Sequence, residues 1–164
     1  MRHTAEQCRI ARLLRLNVSG DSSGVAAAKI LDEVAEAVHD SGKRPSTDRQ
    51  RLFAMSLGLD VSGDSVRVAS ARISAVVHKR NIHAARAMRL RPGNIVVLES
   101  RVELEGRNHL LRELHVVSSV ADGRVYFRGG NGAQAQASRL RLPTEEERMA
   151  FDRGTLKIDV RVAQ

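Results

Sequence analysis

Sliding the chain along itself by 43 positions aligns Thr4–Ile30 with Thr47–Ile73 without a gap, and 14 of the 27 pairs are identical. "LNVSGDSSGVAAAKI" from Leu16 returns as "LDVSGDSVRVASARI" from Leu59, and Asn17/Asp60, Lys29/Arg72 and Ile10/Phe53 keep their chemical type. A repeat of this period means one supersecondary unit written twice. Each copy must fold by the same local rules and bury an apolar face against its neighbour.

Those rules can be read off the residues. Thr4 and Thr47 each stand three residues before a Gln, the capping-box spacing that starts a helix. Apolar residues recur at helical intervals after them: Ile10, Leu13 and Leu14 in the first copy, Leu52, Phe53 and Leu57 in the second. "VSGDS" then breaks the helix. Gly20 and Gly63 permit the turn, and Asp or Ser caps the second helix of the unit. The expected unit is helix, extended loop, helix, with the copies at 4–42 and 47–90 packing into one helical core across residues 1–90.

The copies diverge in charge. Copy one continues as "LDEVAEAVHD", copy two as "SAVVHKRNIHAAR". At about 100° per residue, Arg72, Lys79, His83 and Arg86 fall in one stripe roughly 60° wide. Arg67 lies near the start of the same helix. Arg80 would fall inside the apolar arc, so a break near Arg80–Asn81 and a restart at Ile82 are expected.

"SLGLDVSGDSVRVASARI", and in weaker form "LLRLNVSGDSSGVAAAKI", resembles the SAP-type helix–extended–helix module over roughly 30 residues per copy. The resemblance implies DNA binding through basic residues near the loop and the second helix. Asp21 and Asp64 depart from it, standing where that family often has a base after the Gly.

After "RLRPGN" the pattern turns from helical to alternating, with Pro92-Gly93 as the boundary. Strand-like runs at Ile95–Leu104, Leu110–Val120, Arg124–Arg128 and around Ala133–Leu142 are divided by "EGRN", "ADG" and "GGNG". "PTEEERM" starts a capped helix at Thr144, and "TLKIDVRV" reads as a closing strand. The expected fold is α+β: a duplicated helix–loop–helix bundle, then a small antiparallel SH3-like or OB-like barrel over 91–164.

The formal charge is +8, and only Lys29, Lys43, Lys79 and Lys157 are lysines, so arginine dominates. That balance suits a polyanion, because each neutralised phosphate releases counterions and guanidinium binds phosphate in two-pronged fashion. Candidate nucleic-acid contacts are Arg67, Arg72, Lys79, His83, Arg86, Arg112, Arg124, Arg128, Arg139 and Arg141, with Tyr126 able to stack a base. The glycines of "GGNG" could cradle a phosphate. No HExxH, CxxC, P-loop, dinucleotide fingerprint or GxSxG is present, His78 and His83 are wrongly spaced for two ligands on one helix face, and no cofactor is expected. A non-catalytic protein binding DNA or RNA is the leading expectation. An adaptor or regulatory subunit of a larger bacterial or phage nucleoprotein complex is the alternative. The single Cys8 and the absence of an apolar leader point to the cytoplasm, with no membrane partner.

Overall fold

The two threonine caps form as spaced. In the computed structural model, which describes residues 3–39, 42–104, 106–129, 132–154 and 158–162, Thr4 and Thr47 each close a full capping box with Gln7 and Gln50. They open α1 (Ala5–Leu13) and α3 (Asp48–Ser56). The same glutamines then reach across the loop to the next helix, donating to the carbonyls of Ser23 at 3.1 Å and Val66 at 3.0 Å. Asn17 and Asp60 each accept the backbone N–H two residues on, at Ser19 and Ser62, which tightens the loop. For Asp60 that bond holds the carboxyl below its usual range.

The loops lead into α2 (Ser23–His39) and α4 (Val66–Ala87). Ser22 and Ser65, not the aspartates, cap them, accepting from the N–H groups of Val25 and Val68. Asp21 and Asp64 instead pair with Lys29 at 2.7 Å and Arg72 at 2.6 Å, equivalent positions again. Gly20 turns with φ +82°, whereas Gly63 needs no left-handed backbone.

Packing departs from the expected single helical core. Each copy has its own cluster, Ala11, Val18, Ala26 and Ile30 in one and Ala54, Val61, Ala69 and Ile73 in the other. A third, smaller cluster of Val25, Ala28, Val68 and Ala71 joins α2 to α4 from the same positions of both copies. The first helices dock through alanine: Ala11 is 1% exposed and Ala54 0%, while Leu13 is 76% exposed and Leu52 and Phe53 also face solvent. A nine-residue helix pressed down at one small residue lifts its larger neighbours off the core.

The helix does not break at Arg80–Asn81. α4 runs unbroken through 22 residues. Asn81 is buried because its carboxamide has a use: its Oδ1 accepts from the Ser138 N–H at 3.1 Å and the Ser138 hydroxyl at 2.5 Å. The chain divides into two compact units, Met1–Val77 and His78–Gln164, and the division falls inside α4.

The second unit is an antiparallel sheet with the last turns of α4 on its core. β1 (Ile95–Leu104) pairs along its length with β2 (Arg107–Ala121). β2 passes through a bulge between Val117 and Ser119 and pairs with β3 (Arg124–Phe127), which pairs with β4 (Gln134–Gln136). A 3-10 turn, Ala137–Arg139, leads to β5 (Leu140–Arg141), which returns to β1. The order is β4-β3-β2-β1-β5, with β6 (Ile158–Val162) along β2. Thr144 closes a third capping box and starts α5 (Glu145–Asp152). The core is Leu90, Val96, Val117, Val125, Phe127, Ala137 and Leu140, with Ala84 and Ala85 of α4, and Met88 just after it, packed on it. Phe127 is therefore core, as its alternation implies. The α+β class and the helix-then-sheet order stand. Gly130 and Asn131 of "GGNG" and Thr155–Lys157 of the last strand-like run lie outside the described residues. No helix among the described residues is long and apolar enough to cross a membrane.

Candidate nucleic-acid interface

The ten basic candidate contacts separate into side chains tied to protein carboxylates and side chains left to solvent. Arg72 is held by Asp64 at the loop of its own copy. Arg67 donates to Asp32 at 3.3 Å and to the Leu31 carbonyl. Asp32, buried, also accepts from the Ser65 hydroxyl, and the three line a pocket of about 240 Å³ with Lys43 and Arg44. Lys43 is drawn to Glu33 and Glu36, whose hydrogen bonds raise its pKa.

Arg112 and Arg141 share Glu99 on β1, at 3.1 and 2.9 Å. Arg141 also grips Glu147 of α5 with both terminal nitrogens at 2.7 Å. That fork pins α5 to the sheet, raises the arginine's pKa and drives the Glu147 carboxyl down to about 2 from 4.5. A carboxyl whose pKa is lowered by folding stabilises the fold above its unfolded value and loses that contribution as pH falls through its folded one. The stability difference between the wild type and Glu147→Gln, about 2 kcal/mol at neutral pH, is therefore expected to shrink below pH 4.5 and to vanish near pH 2. Denaturant midpoints across that window check it; a constant difference would refute it.

Six candidates remain exposed, and among the described residues no carboxylate lies within ion-pair distance of any of them: Lys79, His83, Arg86, Arg124, Arg128 and Arg139. All six belong to the second unit. Lys79, His83 and Arg86 keep their stripe because α4 is continuous. Asn81, Ala84 and Ala85 occupy the opposite arc, turned to the sheet core. The stripe therefore looks outward, away from the sheet.

The other three arginines attend β3 and β4. In register, Arg124 faces Gln136 and Tyr126 faces Gln134, while Val125 and Ala135 between them point the other way, Val125 fully buried. Strand alternation thus sets Arg124, Tyr126, Gln134 and Gln136 on one outer face. Ser119 and Ala121 of β2 extend it, and no acid stands on it. Arg139, from the 3-10 turn, joins Arg124, Gln134, Ala135 and Gln136 around a groove of about 270 Å³. Tyr126 is half-buried and Arg128 follows directly after β3. Gln134 and Gln136 were not singled out from sequence. Their signal is the "QAQ" alternation opposite "RVY", which acquires meaning only once the hairpin register is known.

Chemically, such a face offers guanidinium groups for phosphate, a ring for stacking, and amides that donate and accept at a base edge. Among the described residues no group of three His, Cys, Asp or Glu side chains is placed to hold a metal ion. No protein-family model, curated protein or solved structure matches this chain.

Proposed function

We propose that this protein binds nucleic acid without catalysis, through the exposed cations of residues 78–164, and that their sheet is an SH3-like barrel. The barrel reading rests on strand order: a meander β1 to β4, a 3-10 turn, and a short β5 back on β1. The binding reading rests above all on the outer face of β3 and β4, where Arg124, Arg139, Tyr126 and two glutamines gather with no acid among them. Four of the candidate arginines, Arg67, Arg72, Arg112 and Arg141, are engaged by the protein's own carboxylates, so arginine abundance alone would argue little. The SAP-like reading is retained only for the architecture of the repeats, since their loop-proximal bases Lys29 and Arg72 are engaged by Asp21 and Asp64.

Fluorescence anisotropy with a labelled single strand and a labelled duplex tests the proposal. Affinity should fall steeply between about 50 and 200 mM salt, because phosphate contacts release counterions. Arg124→Ala with Arg139→Ala should weaken binding for every sequence and lower the salt slope by about 2. Binding that ignores salt, or a double variant with the parental slope, would overturn it.

A second reading, an adaptor within a larger nucleoprotein complex, draws on apolar side chains exposed in the first unit: Leu31, Val34 and Val38 on α2, and Leu52, Phe53 and Met55 on α3. A protein partner still retained after complete nuclease digestion would favour it over direct binding.

A further inference from the structure

The two copies of the repeat diverge on one face of their second helices. Gly24, Ala27, Leu31, Val34 and Val38 of α2 recur at alternating intervals of three and four, the a and d positions of two heptads, and so line one seam of the helix. Leu31, Val34 and Val38 are 56%, 40% and 67% exposed. The clusters to either side of the seam take Val25 and Ala28 in one direction, Ala26 and Ile30 in the other. Forty-three residues on, the same positions of α4 are Arg67, Ser70, Ser74, Val77 and Asn81. The first three are polar and face solvent, Val77 packs on the cluster of its own copy, and Asn81 is buried against Ser138. At these positions copy one alone leaves apolar side chains uncovered, which is how an interaction face differs from an ordinary surface.

Residue size and charge say what fits the seam. Gly24 and Ala27 make its N-terminal end small, Val34 and Val38 make its C-terminal end large, and Leu31 stands midway. Turned end for end about Leu31, the seam matches itself: Val38 meets Gly24, Val34 meets Ala27, and Leu31 meets Leu31. A parallel pair would set valine on valine at one end and leave a void between glycines at the other. Lys29, Asp32, Glu33 and Glu36 lie about 100–160° around the helix from Leu31. The positions that flank a heptad seam are Ala28, Ile30, Ala35 and Ala37, so no like charges face each other across the pair. Arg67, which reaches the Leu31 carbonyl from α4, is already paired with Asp32. Residues 1–77 carry eleven Lys and Arg against nine Asp and Glu, and residues 78–164 sixteen against ten. The unit that bears the seam is therefore close to neutral, and the charge that would hold copies apart sits in the other.

From this self-matching seam we propose that two copies of the chain pair through α2, antiparallel about Leu31. The pairing goes beyond the nucleic-acid reading and does not depend on it; of the partners that the adaptor reading leaves open, it assigns α2 a second copy. Two heptads supply less than the roughly 800 Å² per partner of a standard interface, so the pair is reversible. A chain that binds nucleic acid would gain from it, since pairing doubles the binding faces and makes the second contact intramolecular.

Sedimentation equilibrium of the full chain after nuclease digestion tests the pairing. The mean mass should climb from the 18.0 kDa of one chain toward twice that as concentration rises from about 1 to about 100 μM. Leu31→Glu should stay at the mass of one chain, because it sets two carboxylates together in a seam closed to water. Ser74→Glu, the same charge at the equivalent position of α4, should pair as the wild type does. Both sites are exposed, and circular dichroism confirms that each variant folds. Disulfide trapping in a Cys8→Ser background reads the register. Gly24→Cys chains should cross-link to Val38→Cys chains and neither to itself, since like positions stand about 21 Å apart along an antiparallel pair. A wild type that stays monomeric, or a Leu31→Glu variant that associates as the wild type does, overturns the pairing and leaves the seam to a different protein. Gly24→Cys chains that cross-link to one another and not to Val38→Cys overturn the antiparallel register. None of these outcomes bears on whether oligonucleotides bind.

Discussion

Gly123→Ala is expected to destabilise the second unit by about 3–5 kcal/mol, combining left-handed backbone strain with an overpacked contact. The β2–β3 turn is a two-residue hairpin loop, Asp122-Gly123, closed by the Ala121–Arg124 pair, with φ of +51° and +78° at its two residues. A side chain at Gly123 meets more than strain. Its Cβ would lie 2.6 Å from the Asn81 Cβ, and 2.9 Å from both the Asn81 carbonyl carbon and the Ile82 nitrogen. Two of those three atoms are helix backbone and cannot swing aside. The Gly123 carbonyl also accepts from the Ala137 N–H at 2.9 Å, so a shifted turn disturbs the 3-10 segment too. Gly93→Ala is the control: φ is +89°, but nothing stands within 4 Å of the added carbon, so only strain of about 1–2 kcal/mol is expected. The chain has one tyrosine and no tryptophan, so Tyr126 fluorescence reports the second unit alone during urea unfolding. Equal midpoints for the two variants would refute the close-approach argument.

The second large effect is expected at the paired alanines. Ala11→Leu and Ala54→Leu should each destabilise the helical unit by about 1–3 kcal/mol, since a well-packed contact cannot admit three more carbons without moving a helix. Both sites are closed to solvent and belong to separate clusters, so the two effects should be alike and should add. Unfolding followed by helical circular dichroism measures them. A tolerated leucine at either site would mean that the alanine does not set the approach of that first helix.

Local signals were legible in the sequence and long-range ones were not. Thr4, Thr47 and Thr144 announce helix starts because a capping box is complete within four residues. The Asp-Gly turn and the alternation through β1, β2 and β3 are equally local. The break expected near Arg80–Asn81, because Arg80 falls in the apolar arc, failed for the opposite reason: the helix continues, and the partner that makes use of Asn81, Ser138, lies 57 residues away. Leu13, Leu52 and Phe53 sit at helical spacing yet face solvent, because nine residues define an apolar arc too loosely to single out an alanine as its centre. The arginines divide on the same principle. Nothing near Arg141 in sequence says that it shares Glu99, on β1, with Arg112; strand register decides that, and with it which guanidinium groups remain for an outside ligand.

The small α2–α4 cluster sets Val25 and Ala28 with their own counterparts, Val68 and Ala71. Like positions meeting in this way are the mark of an isologous interface, ordinarily made between two identical subunits. Here both sides belong to one polypeptide, so their association is intramolecular and cannot be undone by dilution. The tether also releases the two partners from having to stay identical: one could become acidic and the other basic without any subunit having to choose between them.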